Sequence, residues 1–167
     1  MRKFTTRDLT LAAIVAAAYA ALTILLPGQS YGYTQLRISE ALTVLPFLFP
    51  ATAPGLAIGC LIANLLSPYG LIDVVCGTLA SALAAFATVK MPNKWLAPLP
   101  PVLTNGIIVG GMLAWYEAGF GSGFWPAFAV SGPGVALGEL IVCYILGLIL
   151  LNTLPRISYF NRLMVRR

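Results

Sequence analysis

Polar residues are so sparse along this chain that the apolar runs between them set its architecture. The runs LAAIVAAAYAALTILL and ELIVCYILGLILL are unbroken. They lack the apolar-polar alternation of a membrane-spanning strand, so the pattern predicts helices and excludes a β-barrel. Proline, glycine and polar clusters divide the sequence into six segments: Thr10 to Pro27, Leu36 to Phe49, Ala53 to Ser67, Leu71 to Val89, Leu99 to Trp115 and Val130 to Leu154. The second and third are short, about 21 Å at 1.5 Å per residue, and Pro46, Pro50 and Pro54 punctuate them. Broken helices persist in a bilayer only where neighbours cover the freed backbone groups. Between the last two segments lies YEAGFGSGFWPAF, rich in glycine and aromatics and expected to be a loop.

Composition identifies the solvent. Of the 167 residues, 59% are apolar and 9% charged, with a mean hydropathy of +0.90, whereas a soluble domain carries about 25% charged residues. The expected fold is an all-α integral membrane protein, one domain over residues 1–167 with six transmembrane helices. The opening MRKFTTRDL has the charge of a signal-peptide n-region, but more membrane segment follows it, so it reads as a retained first helix. Cys60, Cys76 and Cys143 lie singly in apolar runs and histidine is absent. Disulfide, zinc and other cofactor readings are therefore poor, and small apolar packing is the expected cysteine role.

The cations orient the helices. With both termini cytoplasmic, Arg2, Lys3, Arg7, Lys90, Lys94, Arg156, Arg162, Arg166 and Arg167 all fall inside, as short cytoplasmic loops require. Arg37 is the exception. The net charge of +5 then reflects orientation and contact with anionic lipid rather than nucleic-acid binding.

Arg37 and Glu40 lie in the first turn of the second segment, Asn64 near the outer end of the third and Asp73 just inside the outer end of the fourth. Asn105 and Glu139 lie about 15 Å and 14 Å below the same surface at 1.5 Å per residue. Charges at such depth are costly unless they face a partner or a cavity. The pattern predicts an outward-facing pocket, floored by Asn105 and Glu139 and roofed by the loops 28–36 and 116–129. Plainer readings stand beside it: an Arg37–Glu40 bridge at i, i+3 spacing, a first-turn acid at Asp73, and interhelical bonding by Asn105. Glu139, with no cation nearby in sequence, wants a ligand, a proton or Arg37. Tyr31, Tyr33, Trp115, Tyr116, Phe124 and Trp125 suit an interfacial belt, and Tyr33, Trp115 and Trp125 are also candidates to stack on a ligand. On the first helix, Ala12, Ala16 and Ala20 form one i, i+4 row and Ala13, Ala17 and Ala21 the next. Such a smooth face admits a close helix, from this chain or another.

The segment LRISEALTVLPFLFPATAPGLAIGCLIANLLSPYGLIDVVCGTLA, with the alanine-rich first helix, the six-segment plan and GEL at 138–140, resembles the QueT family. These are the queuosine-precursor substrate-binding subunits (S-components) of energy-coupling factor (ECF) transporters. The resemblance covers most of the chain. It implies capture of a 7-deazaguanine queuosine precursor from outside and association with a transmembrane coupling subunit and two cytoplasmic ATPases. It also implies toppling of the S-component in the bilayer to release ligand inward, with the alanine face of helix one (Ala12, Ala13, Ala16, Ala17, Ala20) against the coupling subunit. Such a base offers an N1 and exocyclic-amine edge that one carboxylate accepts as a bidentate pair. Glu139 is expected on that edge and Asn105 on the carbonyl; an aminomethyl cation would favour Glu40 or Asp73, with Arg37 orienting Glu40. An S-component for another vitamin and a proton-coupled transporter titrating Glu139 are the alternatives. An enzyme is disfavoured, since the chain has no Ser/His pair, metal-ligand set or Walker loop.

Overall fold

A capping box starts the first helix earlier than its apolar run suggests. In the computed structural model, which describes residues 4–30 and 36–164, the Thr5 side chain accepts from the Asp8 N–H at 3.3 Å and the Thr5 N–H donates to Asp8 Oδ2 at 3.0 Å. Two orphan donors are thereby satisfied, and α1 runs over Thr6–Leu25. A single turn, α2 (Pro27–Ser30), follows. Beyond the 31–35 segment, which includes Tyr31 and Tyr33 and lies outside the described residues, the chain continues as α3 (Thr52–Asn64), α4 (Leu71–Val89), α5 (Leu99–Ala118), α6 (Phe124–Arg156) and α7 (Ser158–Leu163). Before α3 comes a 3-10 helix, Ile38–Phe47. Among the described residues there is no strand.

Four of these elements, α1, α4, α5 and α6, are long and apolar enough to cross a membrane, whereas α3 and the 3-10 helix are shorter apolar helices. The chain is a multi-pass membrane protein. The last segment begins at Phe124 rather than Val130, because Pro126 sits in the first helical turn, where its missing N–H costs nothing. The expected 116–129 loop therefore shrinks to residues 119–123, and Gly119 makes the reversal at a φ of 63°.

The 3-10 helix is central. Most of its residues are buried, polar Ser39, Glu40 and Thr43 among them. With about 2.0 Å of rise per residue, its ten residues reach about 20 Å, close to the length of thirteen-residue α3. Three residues per turn also stack Glu40, Thr43 and Pro46 in one buried row.

Glycine sets the closest helix contacts. A Cβ on Gly55 would strike the Ala12 carbonyl, and one on Gly59 would come within 2.6 Å of the Ala16 carbonyl oxygen. The α1 and α3 helices therefore lie backbone to backbone and run parallel. Ala12, Ala16 and Ala20 are buried, whereas Ala13, Ala17 and Ala21 are exposed. Around this pair, Val15, Tyr19, Leu45, Leu56 and Cys60 form one apolar cluster, and Val109, Met112, Leu113 and Val135 form another between α5 and α6.

Candidate functional site

The 3-10 helix carries Arg37 at its N-cap and Glu40 one turn further on, and each is held by a different set of helices. Arg37 is buried. Its Nε donates to the Ser30 carbonyl at 2.9 Å, Nη1 to Asn64 Oδ1 at 3.1 Å and Nη2 to Asp73 Oδ2 at 3.2 Å. Ser67 Oγ donates to the same Asp73 oxygen at 2.6 Å, and Asn64 Nδ2 to the Asp73 carbonyl at 3.1 Å. One guanidinium thus ties α2, the 3-10 helix, α3 and α4 together. A buried pair gains little net energy over apolar packing, but removing one partner costs about 3–5 kcal/mol. Gly77 leaves the space, since a Cβ there would lie 2.5 Å from Asn64 Nδ2.

Glu40 belongs to a second centre. Its Oε1 accepts the Tyr19 hydroxyl of α1, while its Oε2 is buried with no hydrogen-bond partner. From the other side of the molecule, Asn105 Nδ2 donates to Glu139 Oε1 at 2.6 Å, and the Cys143 thiol lies 3.4 Å from both Glu139 Oε2 and the Glu40 carbonyl oxygen. Thr43 Oγ1 completes the group, 2.6 Å from the Glu40 carbonyl and 3.7 Å from Cys143 Sγ. Glu40 and Glu139 are near enough to interact electrostatically, and the Asn105 amide, bonded to Glu139, lies near Glu40 as well. Glu40, Glu139 and Asn105 are each no more than 3% exposed.

The backbone is specialised around this centre. Asn105 opens a π-helical turn, Asn105–Val109, within α5, and Cys143 opens another, Cys143–Gly147, within α6 just after Glu139. Such turns widen a helix by one residue and recur at functional sites. The resulting set is acceptor-rich: four carboxylate oxygens, lined by the donors of Tyr19, Asn105 and Cys143.

Several expected roles change. Arg37 does not orient Glu40 through a direct bond, because its guanidinium is spent on Asp73, Asn64 and Ser30 while Tyr19 holds Glu40. Asp73 is more than a first-turn acid, being the ion-pair partner of Arg37. Asn64 and Asp73 consequently sit with Arg37 rather than with Glu139. Trp115 is half-buried and lines an almost wholly apolar cavity of about 400 Å³ with Ile72, Cys76, Met112, Phe120 and Phe124. Trp125 is 71% exposed and touches Phe124 and Phe128, away from both polar centres. Cys60 and Cys143 are free and buried as expected, yet both bond polar groups, Cys60 to Asn64 and Ser81. Tyr19 went unnoticed among the alanines; the one signal was a lone phenol in an otherwise smooth helix. The alanine rows also divide, with Ala12 and Ala16 packed on Gly55 and Gly59 within the chain and Ala13 and Ala17 left facing outward.

Comparison with known proteins gives one family. The family described as "QueT transporter" matches residues 9–156. Over 83 residues the chain is 40% identical to the "Queuosine precursor transporter QueT" of Lactococcus lactis subsp. cremoris (strain MG1363), a match covering 48% of each protein. The chain thus spans about half the length of that relative. No solved structure matches.

Proposed function

Because the chain belongs to the QueT transporter family, a family of transporters rather than enzymes, we propose that it is the substrate-binding S-component of an ECF-type transporter. In this reading it captures a queuosine precursor, the cargo in the Lactococcus relative's name, here taken to be a 7-deazaguanine, and passes it inward with a coupling subunit and two ATPases. The 3-10 helix and α3 are then the second and third of six crossings, α3 packed against α1 and α4 and the 3-10 helix against α1, α4 and α6. Five described cations, Arg7, Lys90, Lys94, Arg156 and Arg162, flank helix ends away from the Arg37 centre, and both termini are cytoplasmic on the positive-inside rule. In this reading the pocket opens to the exterior.

One observation carries the ligand reading: buried Glu40 Oε2 has no partner, and it stands beside a second carboxylate in a centre lined by donors. An unpaired buried acceptor costs about 1–3 kcal/mol, which a ligand N–H removes. A 7-deazaguanine presents two such donors on one edge to Glu139 and a carbonyl to the Asn105 amide, while an aminomethyl cation satisfies Glu40. The test is calorimetry of the purified protein with 7-aminomethyl-7-deazaguanine and its deazaadenine counterpart, whose N1 is an acceptor. Binding of the guanine-type base alone is expected. Equal binding of the two, or binding of neither, overturns the reading. The paired acids also suit a proton-coupled transporter, since two facing carboxylates readily hold a proton between them; transport in liposomes, treated below, separates the two.

A further inference from the structure

At the end of the molecule opposite the Arg37 centre, a cavity of about 510 Å³ opens between the start of α1, the turn joining the 3-10 helix to α3, and α7. Phe4, Leu11, Phe49, Leu163 and Met164 make much of its wall apolar, and Arg7, Arg162 and Asp8 supply its charge. The Asp8 carboxylate accepts from the Thr5 N–H and hydroxyl. Neither guanidinium has a hydrogen-bond or ion-pair partner among the described residues. Among the described lining residues, two cations less one anion leave a net charge of +1. Arg7 and Leu11, at i and i+4, share one face of α1, so the wall grades from cationic to apolar along the helix axis. Arg7 also lies in the first turn of a membrane-crossing helix, at headgroup depth.

We infer that this cavity holds the headgroup of one anionic phospholipid, its phosphodiester between Arg7 and Arg162 and its acyl chain running past Leu11. A phosphodiester carries the single negative charge that neutralises the wall, and guanidinium grips it through paired N–H donors. The alternation of cation and apolar wall selects an amphiphile over a free anion. Lys90, Lys94 and Arg156 flank nearby helix ends without lining the cavity; Lys94 donates to Asn152 at 2.7 Å. The site is therefore separable from the general basic surface.

Native mass spectrometry of the full-length protein in detergent, titrated with phosphatidylglycerol, phosphatidylethanolamine or glycerol 3-phosphate, tests this. One phosphatidylglycerol should be retained in preference to phosphatidylethanolamine. Arg162→Gln alone, at an exposed position of α7 outside the packed core, and Arg7→Gln/Arg162→Gln together should each weaken retention, the pair by about tenfold or more, as loss of a charged hydrogen-bonding group implies. Arg156→Gln should leave it unchanged. Equal retention of the two lipids, equal loss in Arg156→Gln, or unaltered retention in both Arg162 variants overturns the site. Displacement of the lipid by millimolar glycerol 3-phosphate would reassign it to a soluble phosphate.

Discussion

At the scale of single residues, the chemistry turns on how a bilayer-embedded protein keeps buried charge satisfied. Arg37 and Asp73 settle theirs against each other, with Asn64, Ser30 and Ser67 adding hydrogen bonds, although Asp73 Oδ1 stays buried without a partner among the described residues. Glu40 and Glu139 do not, since their partners are a phenol, an amide and a thiol. Glu139 is the sharper probe because both its oxygens already face donors. In Glu139→Gln one oxygen becomes an NH₂ that meets either the Asn105 amide or the Cys143 thiol and opposes a ligand N–H, costing about 1–3 kcal/mol. Calorimetry should show precursor affinity at least tenfold weaker in a protein that melts normally; unchanged affinity removes Glu139 from the site. The sequence made Arg37, Glu40, Asp73, Asn105 and Glu139 visible, because an ionisable or amide group in an apolar run is conspicuous. It did not reveal which acid Arg37 takes. That depends on α3 and α4 meeting over Gly77, a tertiary contact with no local signature. Tyr19 was hidden for a related reason: its hydroxyl matters only because the glycines of α3 draw α1 close enough to reach Glu40.

At the scale of elements, helix positions were legible from apolar runs and helix types were not. Leu71–Val89 has the bounds its pattern predicts, whereas LRISEALTVLPF adopts a 3-10 helix and α5 and α6 each contain a π-turn. Those departures answer to packing around the polar centre, which periodicity does not encode. The two alanine rows show the same limit, for they look equivalent in sequence and have opposite surroundings in the fold. Their difference yields a paired prediction. Gly55→Ala and Gly59→Ala drive a Cβ into the α1 backbone and should lower stability by about 1–3 kcal/mol, read as a fall in melting temperature in detergent. Ala13→Leu with Ala17→Leu adds bulk on the exposed row and should leave melting and ligand binding intact. If that row docks on a coupling subunit, uptake by cells carrying the whole transporter should fall. Full uptake with both leucines in place would remove the outer row from any coupling interface.

At the scale of the whole molecule, the distribution of titratable groups separates a binding subunit from a self-sufficient transporter. Among the described residues, the buried charged side chains are Arg37, Glu40, Asp73 and Glu139. Beyond Glu40, the row that continues along the 3-10 helix toward the basic end consists of Thr43 and Pro46, with Val44 and Leu45 beside them, and offers no titratable step. On α6 the residues after Cys143 are apolar as far as Asn152, apart from Tyr144. A proton path across the membrane calls for ionisable groups at several depths, and along these two helices no carboxylate or cation lies between the Glu40–Glu139 centre and the basic end. Concentrating a solute also demands an energy source, which an S-component takes from its partners. Purified protein in liposomes should therefore bind the precursor without accumulating it, even under an imposed proton gradient. Accumulation should appear when the coupling subunit, both ATPases and ATP are supplied, measured as internal radiolabelled base over time. If the protein alone concentrates the base in response to the gradient, the Glu40–Glu139 pair is a proton relay and the S-component reading gives way to the proton-coupled one.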